Sequence, residues 1–281
     1  MAARLDVQKT YKLFIGGAFP RSESGRTFAL VARNGSLIAN VAQASRKDLR
    51  DAVVAARSAQ PGWAARTAYN RGQILYRVAE VMESRRAEFA EDLNRCGVAI
   101  AGARKEVERA IDRWVWYAGW CDKFHHIAGT VNSVAGPYFN FTMPEPTGVV
   151  GIVTPDNPGL LGLVSRLAPA LVSGNTAVIL TGEASPLAAI SMAEVVATSD
   201  VPGGVVNILT GATHDMLPWL LGHRDVNAVD LTGAPDDLEA KVVAEAAENV
   251  KRLIRGVPDD QSPYIIADFC EMKTVWHPVG R

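Results

Sequence analysis

Strong charge of one sign, paired cysteines and long apolar runs are all missing from this sequence. Its 29 basic residues stand against 30 acidic ones, a formal net charge of −1. No overall field draws it to nucleic acid or to an anionic membrane, and neither partner is expected. Its three cysteines, Cys96, Cys121 and Cys270, are widely separated and leave one over in any pairing scheme. A reducing compartment suits them, so a cytoplasmic location is expected. No apolar run reaches the ~20 residues that a membrane-spanning helix needs, because even the stretch 148–181 is interrupted by Pro, Gly, Asp and Asn. The opening MAARLDVQKTYK turns charged and polar before an apolar core forms, unlike a signal peptide. What is present is 48% hydrophobic residues, enough for a real core in one large domain or two ordinary ones.

Residues 12–45 read as β structure, with Asn34-Gly35 between two alternating apolar runs predicting a type I′ hairpin. Ser45 is a suitable N-cap for a helix that keeps Leu49, Val53 and Ala56 in step until Pro61-Gly62 stops it. A second amphipathic helix is predicted over 69–94 and a third over 104–124, and these three helices are expected in one layer on one face of a sheet. The aromatic group Trp114, Trp116, Tyr117, Trp120 and Phe124 suits helix packing better than a ligand box. His125-His126 has no third metal ligand at a helical or hairpin spacing and reads as a solvated helix end.

The stretch Gly148 to Pro186, GVVGIVTPDNPGLLGLVSRLAPALVSGNTAVILTGEASP, organises the rest. An apolar β-branched run turns at Pro155-Asp156-Asn157-Pro158-Gly159, continues as a helix and re-enters an apolar run at Thr176. That is strand, crossover helix, strand, the unit that forces a parallel sheet. Strands at 148–155, 176–181, 205–210, 228–232 and 250–254 alternate with helices at 160–172, 186–198, 215–222 and 235–248. The class is α/β, a Rossmann-like doubly wound parallel sheet with covering helices and a small additional β domain. Its ligand crevice is expected at the C-terminal ends of the strands.

The same stretch resembles the start of the cofactor domain of the aldehyde dehydrogenases. Where that family reads PWNFP, KxAPAL and GNTVVLKPAE, this chain reads PDNPG, RLAPAL and GNTAVILTGE. The resemblance implies an NAD- or NADP-dependent oxidation that needs a cysteine nucleophile, an oxyanion site, a glutamate base and a bound nicotinamide. Carried over residue by residue, the motifs are incomplete. Asn157 matches the oxyanion asparagine, but Asp156 beside it replaces a large aromatic and would repel a developing oxyanion. The family's LKRVTLELGG becomes VKRLIRGVPDD, which puts Gly256 in place of the glutamate base. Leu180 takes the place of the ribose-binding lysine, while Glu183 is retained. The family's FTGST becomes LTGAP: Thr232 and Gly233 survive, Ala234 replaces the serine, and Pro235 removes an amide donor. Asp236 and Asp237 follow where a pyrophosphate would dock. Thr154 and Gly211 complete the positions implied for the cofactor. The expectation is that no cofactor is held, with NAD or NADP as the group that the eroded site would take.

The tail DFCEMKTVWHPVG resembles the family's last oligomerisation strand, YTEVKTVW, so Cys270 reads as structural and no residue reads as catalytic. The segment 129–146 resembles the outer strands of the same oligomerisation domain. The resemblance thus implies residues 1–128 and 147–258 as a cofactor-type domain, 129–146 and 259–281 as a β oligomerisation domain, and no catalytic domain. This is similar to the shortened repeat of a two-part subfamily. The expected role is a structural or accessory subunit that forms a homodimer, pairs with a full-length aldehyde dehydrogenase, or does both. The alternatives are the nucleotide-binding part of a split enzyme whose cysteine comes from a partner chain, or a homodimeric scaffold.

Overall fold

A computed structural model describes residues 9–32 and 34–280; residues 1–8, read above as unlike a signal peptide, lie outside them. A leading hairpin pairs β1 (Thr27–Val31) antiparallel with β2 (Leu37–Ala42). Its loop is longer than the predicted two-residue turn. The Asn34 side chain instead folds back to accept from Ser36 N at 3.0 Å and Ser36 Oγ at 2.7 Å. Upstream of it, Phe14 exchanges backbone hydrogen bonds of 2.9 and 2.8 Å with Ile208 and shields an edge of the main sheet.

Helix α1 (Arg46–Ala64) starts at a capping box in which Ser45 Oγ accepts from Lys47 N and Asp48 N while Asp48 accepts from Ser45 N. It runs past Pro61, because buried Trp63 anchors the last turn by donating to Leu171 O at 3.2 Å. The helix predicted over 69–94 is two helices, α2 (Ala68–Ser84) and α3 (Arg86–Arg95). The break falls at Arg85, whose guanidinium reaches Glu88 and Glu194. Helix α4 (Ile100–Ala118) ends short of the predicted Phe124, which opens α5 (Phe124–Ala128). Trp114 and Tyr117 are fully buried in α4 as packing residues.

Next come β3 (Thr130–Asn132) and β4 (Tyr138–Pro146), followed by the α/β run. That run is β5 (Val149–Val153), α6 (Gly159–Val172), β6 (Thr176–Leu180), α7 (Pro186–Ala197), β7 (Val206–Leu209) and α8 (Thr213–Gly222), then β8 (Ala228–Asp230), a 3-10 turn at Asp236–Leu238, α9 (Glu239–Ala247) and β9 (Arg252–Ile254). A short α10 (Ile265–Asp268) leads into β10 (Cys270–Pro278), which pairs with β4 along its whole length, from Cys270 opposite Pro146 to Pro278 opposite Tyr138.

The five strands lie in the order β7-β6-β5-β8-β9, all parallel. The chain starts in the middle at β5, steps out to β7, then returns to lay β8 on the other side of β5. This reversal opens a crevice between the C-terminal ends of β5 and β8. Alternation along the strands divides the core in two. Val150, Ile152, Ala177 and Ile179 pack under α6 and α7, with α2, α3 and α4 above those helices. Val149, Val153, Val178 and Leu180 face α1 and α8. Helix α1 therefore covers the face opposite α2 and α4, against the single layer expected. Ala44 N, donating to Thr210 O at 2.8 Å, pins its start to the end of β7 on that side.

Candidate functional site

The crevice is built by the loops that leave β5, β6, β8 and β9. At the end of β5 the Thr154 hydroxyl accepts from Gly182 N at 3.0 Å and donates to Leu180 O at 3.5 Å, so it ties two loops together. Gly233 packs directly on that strand end: a Cβ there would fall 2.2 Å from Thr154 C. The Thr232 hydroxyl donates to Asp230 Oδ1 at 2.5 Å and accepts from Gly256 N at 3.1 Å. Thr154, Thr232, Gly233 and Gly256 thus converge at the switch point. Asn157 and Glu183 stand exposed on the mouth. Gly211 lies farther out, at φ +140°, a conformation that strains any side chain, and a Cβ there would stand 3.3 Å from Ala44 N.

Gly256 has a direct structural cause. Arg166, on α6, is 1% exposed, and its Nε donates at 2.5 Å to Asp230 Oδ2, itself fully buried. A Cβ on Gly256 would lie 2.5 Å from Arg166 Nη1 and 2.8 Å from its Cζ. The guanidinium therefore occupies the space into which a side chain at 256 would grow. Its far side lies 5.4 Å from the Phe269 ring, and its Nη2 has no hydrogen-bond partner. Breaking such a pair from one side is costly, on the order of 3–5 kcal/mol, because an uncompensated charge stays buried. Neither Arg166 nor Asp230 was singled out from the sequence as a site residue. The signal was there: one arginine in an apolar helix and one aspartate in an apolar strand, opposite in sign.

Helix N-termini around the crevice would attract an anion, since their first amides lack intrahelical partners. The chain's own acids meet several of these groups. Glu106, reaching over from α4, accepts from Leu160 N at 2.8 Å and Leu161 N at 3.1 Å and so caps α6. Asp156 accepts from Ala184 N at 3.1 Å ahead of α7, with its Oδ1 where a Cβ on Gly182 would be. Asp237, in the turn after β8, meets His214 Nε2 at 3.1 Å in the first turn of α8. The rim carries Asp156, Glu183, Asp236 and Asp237, all exposed, a surface unfavourable to a pyrophosphate. Glu106 too was missed in the sequence, where it is one charge among many on a polar helix face.

No cysteine here is poised as a nucleophile. Burial pushes the thiols of Cys121 and Cys270 up to about 12 and that of Cys96 up to about 11. A thiol is reactive as its thiolate, and none of these ionises near neutrality. Cys270 sits at the start of β10 and donates to Ile266 O at 3.3 Å. Among the described residues no group of three or more His, Cys, Asp or Glu could hold a metal ion, and no helix is long and apolar enough to cross a membrane. Chemically, the crevice offers backbone amides of which several are already engaged, a glycine at 256 packed beside Arg166, and an acidic rim.

Comparison with known proteins matches residues 20–277 to the aldehyde dehydrogenase family. Cytosolic 10-formyltetrahydrofolate dehydrogenase of Mus musculus is 35% identical over 276 residues, which cover 96% of this chain and 30% of that protein. The putative aldehyde dehydrogenase DhaS of Bacillus subtilis strain 168 is 34% identical over 252 residues, covering 88% of this chain and 50% of the relative. Among solved structures, a putative aldehyde dehydrogenase from Burkholderia cenocepacia superposes with a TM-score of 0.83 at 31% identity, over 88% of this chain and 50% of its own. The chain thus spans half or less of the length of these relatives. Motifs, sheet order and comparison agree, and the chain belongs to the aldehyde dehydrogenase family.

Proposed function

We propose that this chain assembles rather than catalyses: it is a structural or accessory subunit that pairs through β3, β4 and β10, with a second copy or with a full-length aldehyde dehydrogenase. The observation that carries this reading is the three-stranded sheet β10-β4-β3, which exposes large apolar side chains among polar ones on both faces. Val131, Phe139 and Met143 point to one side, Tyr138, Met272 and Trp276 to the other, and all six are exposed. A small sheet open on both sides, with edge strands β3 and β10, gains by pairing with another chain. The crevice supports the same reading, because Arg166 stands against the base position and acids of the chain meet the amides around it. In this reading the catalytic domain is absent, and the turn at 259–261 joins the remaining parts. Arg113 holds that turn by donating to Asp259 O at 3.0 Å, Asp260 O at 2.6 Å and Gln261 Oε1 at 3.1 Å.

The test is aldehyde oxidation by the full-length enzyme encoded nearest to this chain, with and without an equimolar amount of it. The expected outcome is an altered rate from the mixture and no NADH from this chain alone. Turnover by this chain alone would contradict the proposal. The second reading is the NAD- or NADP-binding part of a split enzyme whose cysteine a partner chain supplies. It is favoured by Asn157 and Glu183, both exposed at the mouth. Cofactor binding tighter than about 1 mM, roughly 4 kcal/mol, would support it over the first.

A further inference from the structure

A second cleft, with a volume of about 1070 Å³, lies between the first turns of α1 and the C-terminal halves of α8 and α9. Helix α8 leaves the C-terminal end of β7 and runs back along the sheet, so Trp219 to Arg224 lie toward the opposite end from the crevice. None of Thr154, Asn157, Glu183, Thr232, Gly233 or Gly256 lines this cleft, so it is distinct from the crevice. Its walls are unusual in three ways. Arg46, Lys47 and Arg50 crowd the first turns of α1, where the helix dipole already presents positive charge and each cation costs about 0.3–1 kcal/mol. Lys47 and Arg50 have exposed partners in Glu23 and Asp51, but Arg46 and Arg224 have no acidic partner among the described residues. Arg46 lies instead over the ring of Trp219 at 3.8 Å, although that ring remains 46% exposed. On the opposite wall α9 presents Glu245 and Glu248.

We infer that this cleft binds a nucleoside phosphate. The Ser45 cap already takes the first amides of α1, so the side chains of Arg46 and Arg224, which have no acidic partner among the described residues, are the groups that suit the phosphates. The Arg46–Trp219 stack offers a flat cationic face to a base. Glu248 supplies a carboxylate that suits sugar hydroxyls or ring amino groups and disfavours a bare polyanion. A cleft of this size accommodates such a ligand.

The experiment is calorimetric titration of the full chain with ATP and, separately, with inorganic tripolyphosphate, at low salt. ATP is expected to bind with a dissociation constant of about 100 µM or tighter. The variant Arg46→Glu/Arg224→Glu, altered at two exposed positions, is expected to weaken binding at least about tenfold while its melting temperature holds. The crevice variant Glu183→Arg is expected to leave ATP affinity unchanged. Three results would overturn the inference: no binding at about 1 mM ATP, ATP binding that the double variant retains, or tripolyphosphate binding as tightly as ATP.

Discussion

Gly256 shows what one position can settle about chemistry. The motif resemblance implies only that a glutamate is replaced there, whereas the structure shows what stands beside the glycine: the Arg166 guanidinium, held by Asp230. Gly256→Ala is expected to lose about 1–3 kcal/mol through overpacking, read by urea unfolding. Gly256→Glu is expected to produce no NADH from aldehyde, since none of the three thiols ionises near neutrality. Lys251 gives a pH test of burial. Its Nζ donates to the carbonyl oxygens of His223 and Val226, and burial pushes its ammonium down to about 8 from an ordinary 10.5. The unfolded chain then holds the extra proton between about pH 8 and 10.5, so this residue makes stability rise with pH across that window. Urea unfolding at pH 7.5, 8.5 and 9.5 is expected to show that rise in the wild-type chain and a flatter profile in Lys251→Met. Asn157, Glu183 and Gly256 could be picked out as candidates from the sequence because they sit inside motifs that resemble the family's. Arg166 and Asp230 could not, because each charge finds its partner only across 64 residues of chain.

At the scale of elements, the parallel strands were readable because fully buried strands are apolar, β-branched and bounded by Gly, Pro or Asn. Helix ends were less readable. The break at Arg85 depends on Glu194, which arrives from α7 and has no mark in the local pattern. Helix α1 changed face for a similar reason, since its apolar stripe fits either side and a backbone bond at Thr210 decides. Helix α6 offers the clearest test at this scale. Its N-cap residue Pro158 gives no side-chain cap, and Glu106 supplies the cap from another helix. Glu106→Ala is expected to cost about 1 kcal/mol of stability, as lost N-caps do, while Glu106→Gln keeps part of it. Thermal unfolding of the two variants side by side checks this, and equal losses would argue against a capping role.

For the whole molecule, the crevice and the sheet β10-β4-β3 occupy different regions, so on the proposed reading catalysis can be lost while assembly is kept. The α/β sheet supplies the core, with closely packed strand ends and an acidic rim where the family binds its cofactor. The sheet β10-β4-β3 stands out from that core with apolar side chains on both faces, joined to it at Thr147, which donates to Phe269 O at 3.2 Å. Large exposed apolar surface of this kind marks an interaction site. The most direct measurement is the mass of the purified chain in solution by light scattering, for the wild type and for Val131→Glu/Trp276→Glu, each alone and mixed with the full-length enzyme. A dimer or a mixed complex from the wild type, and a folded monomer from the variant, is the predicted result. A wild-type chain that stays monomeric alone and in the mixture would contradict assembly through this sheet.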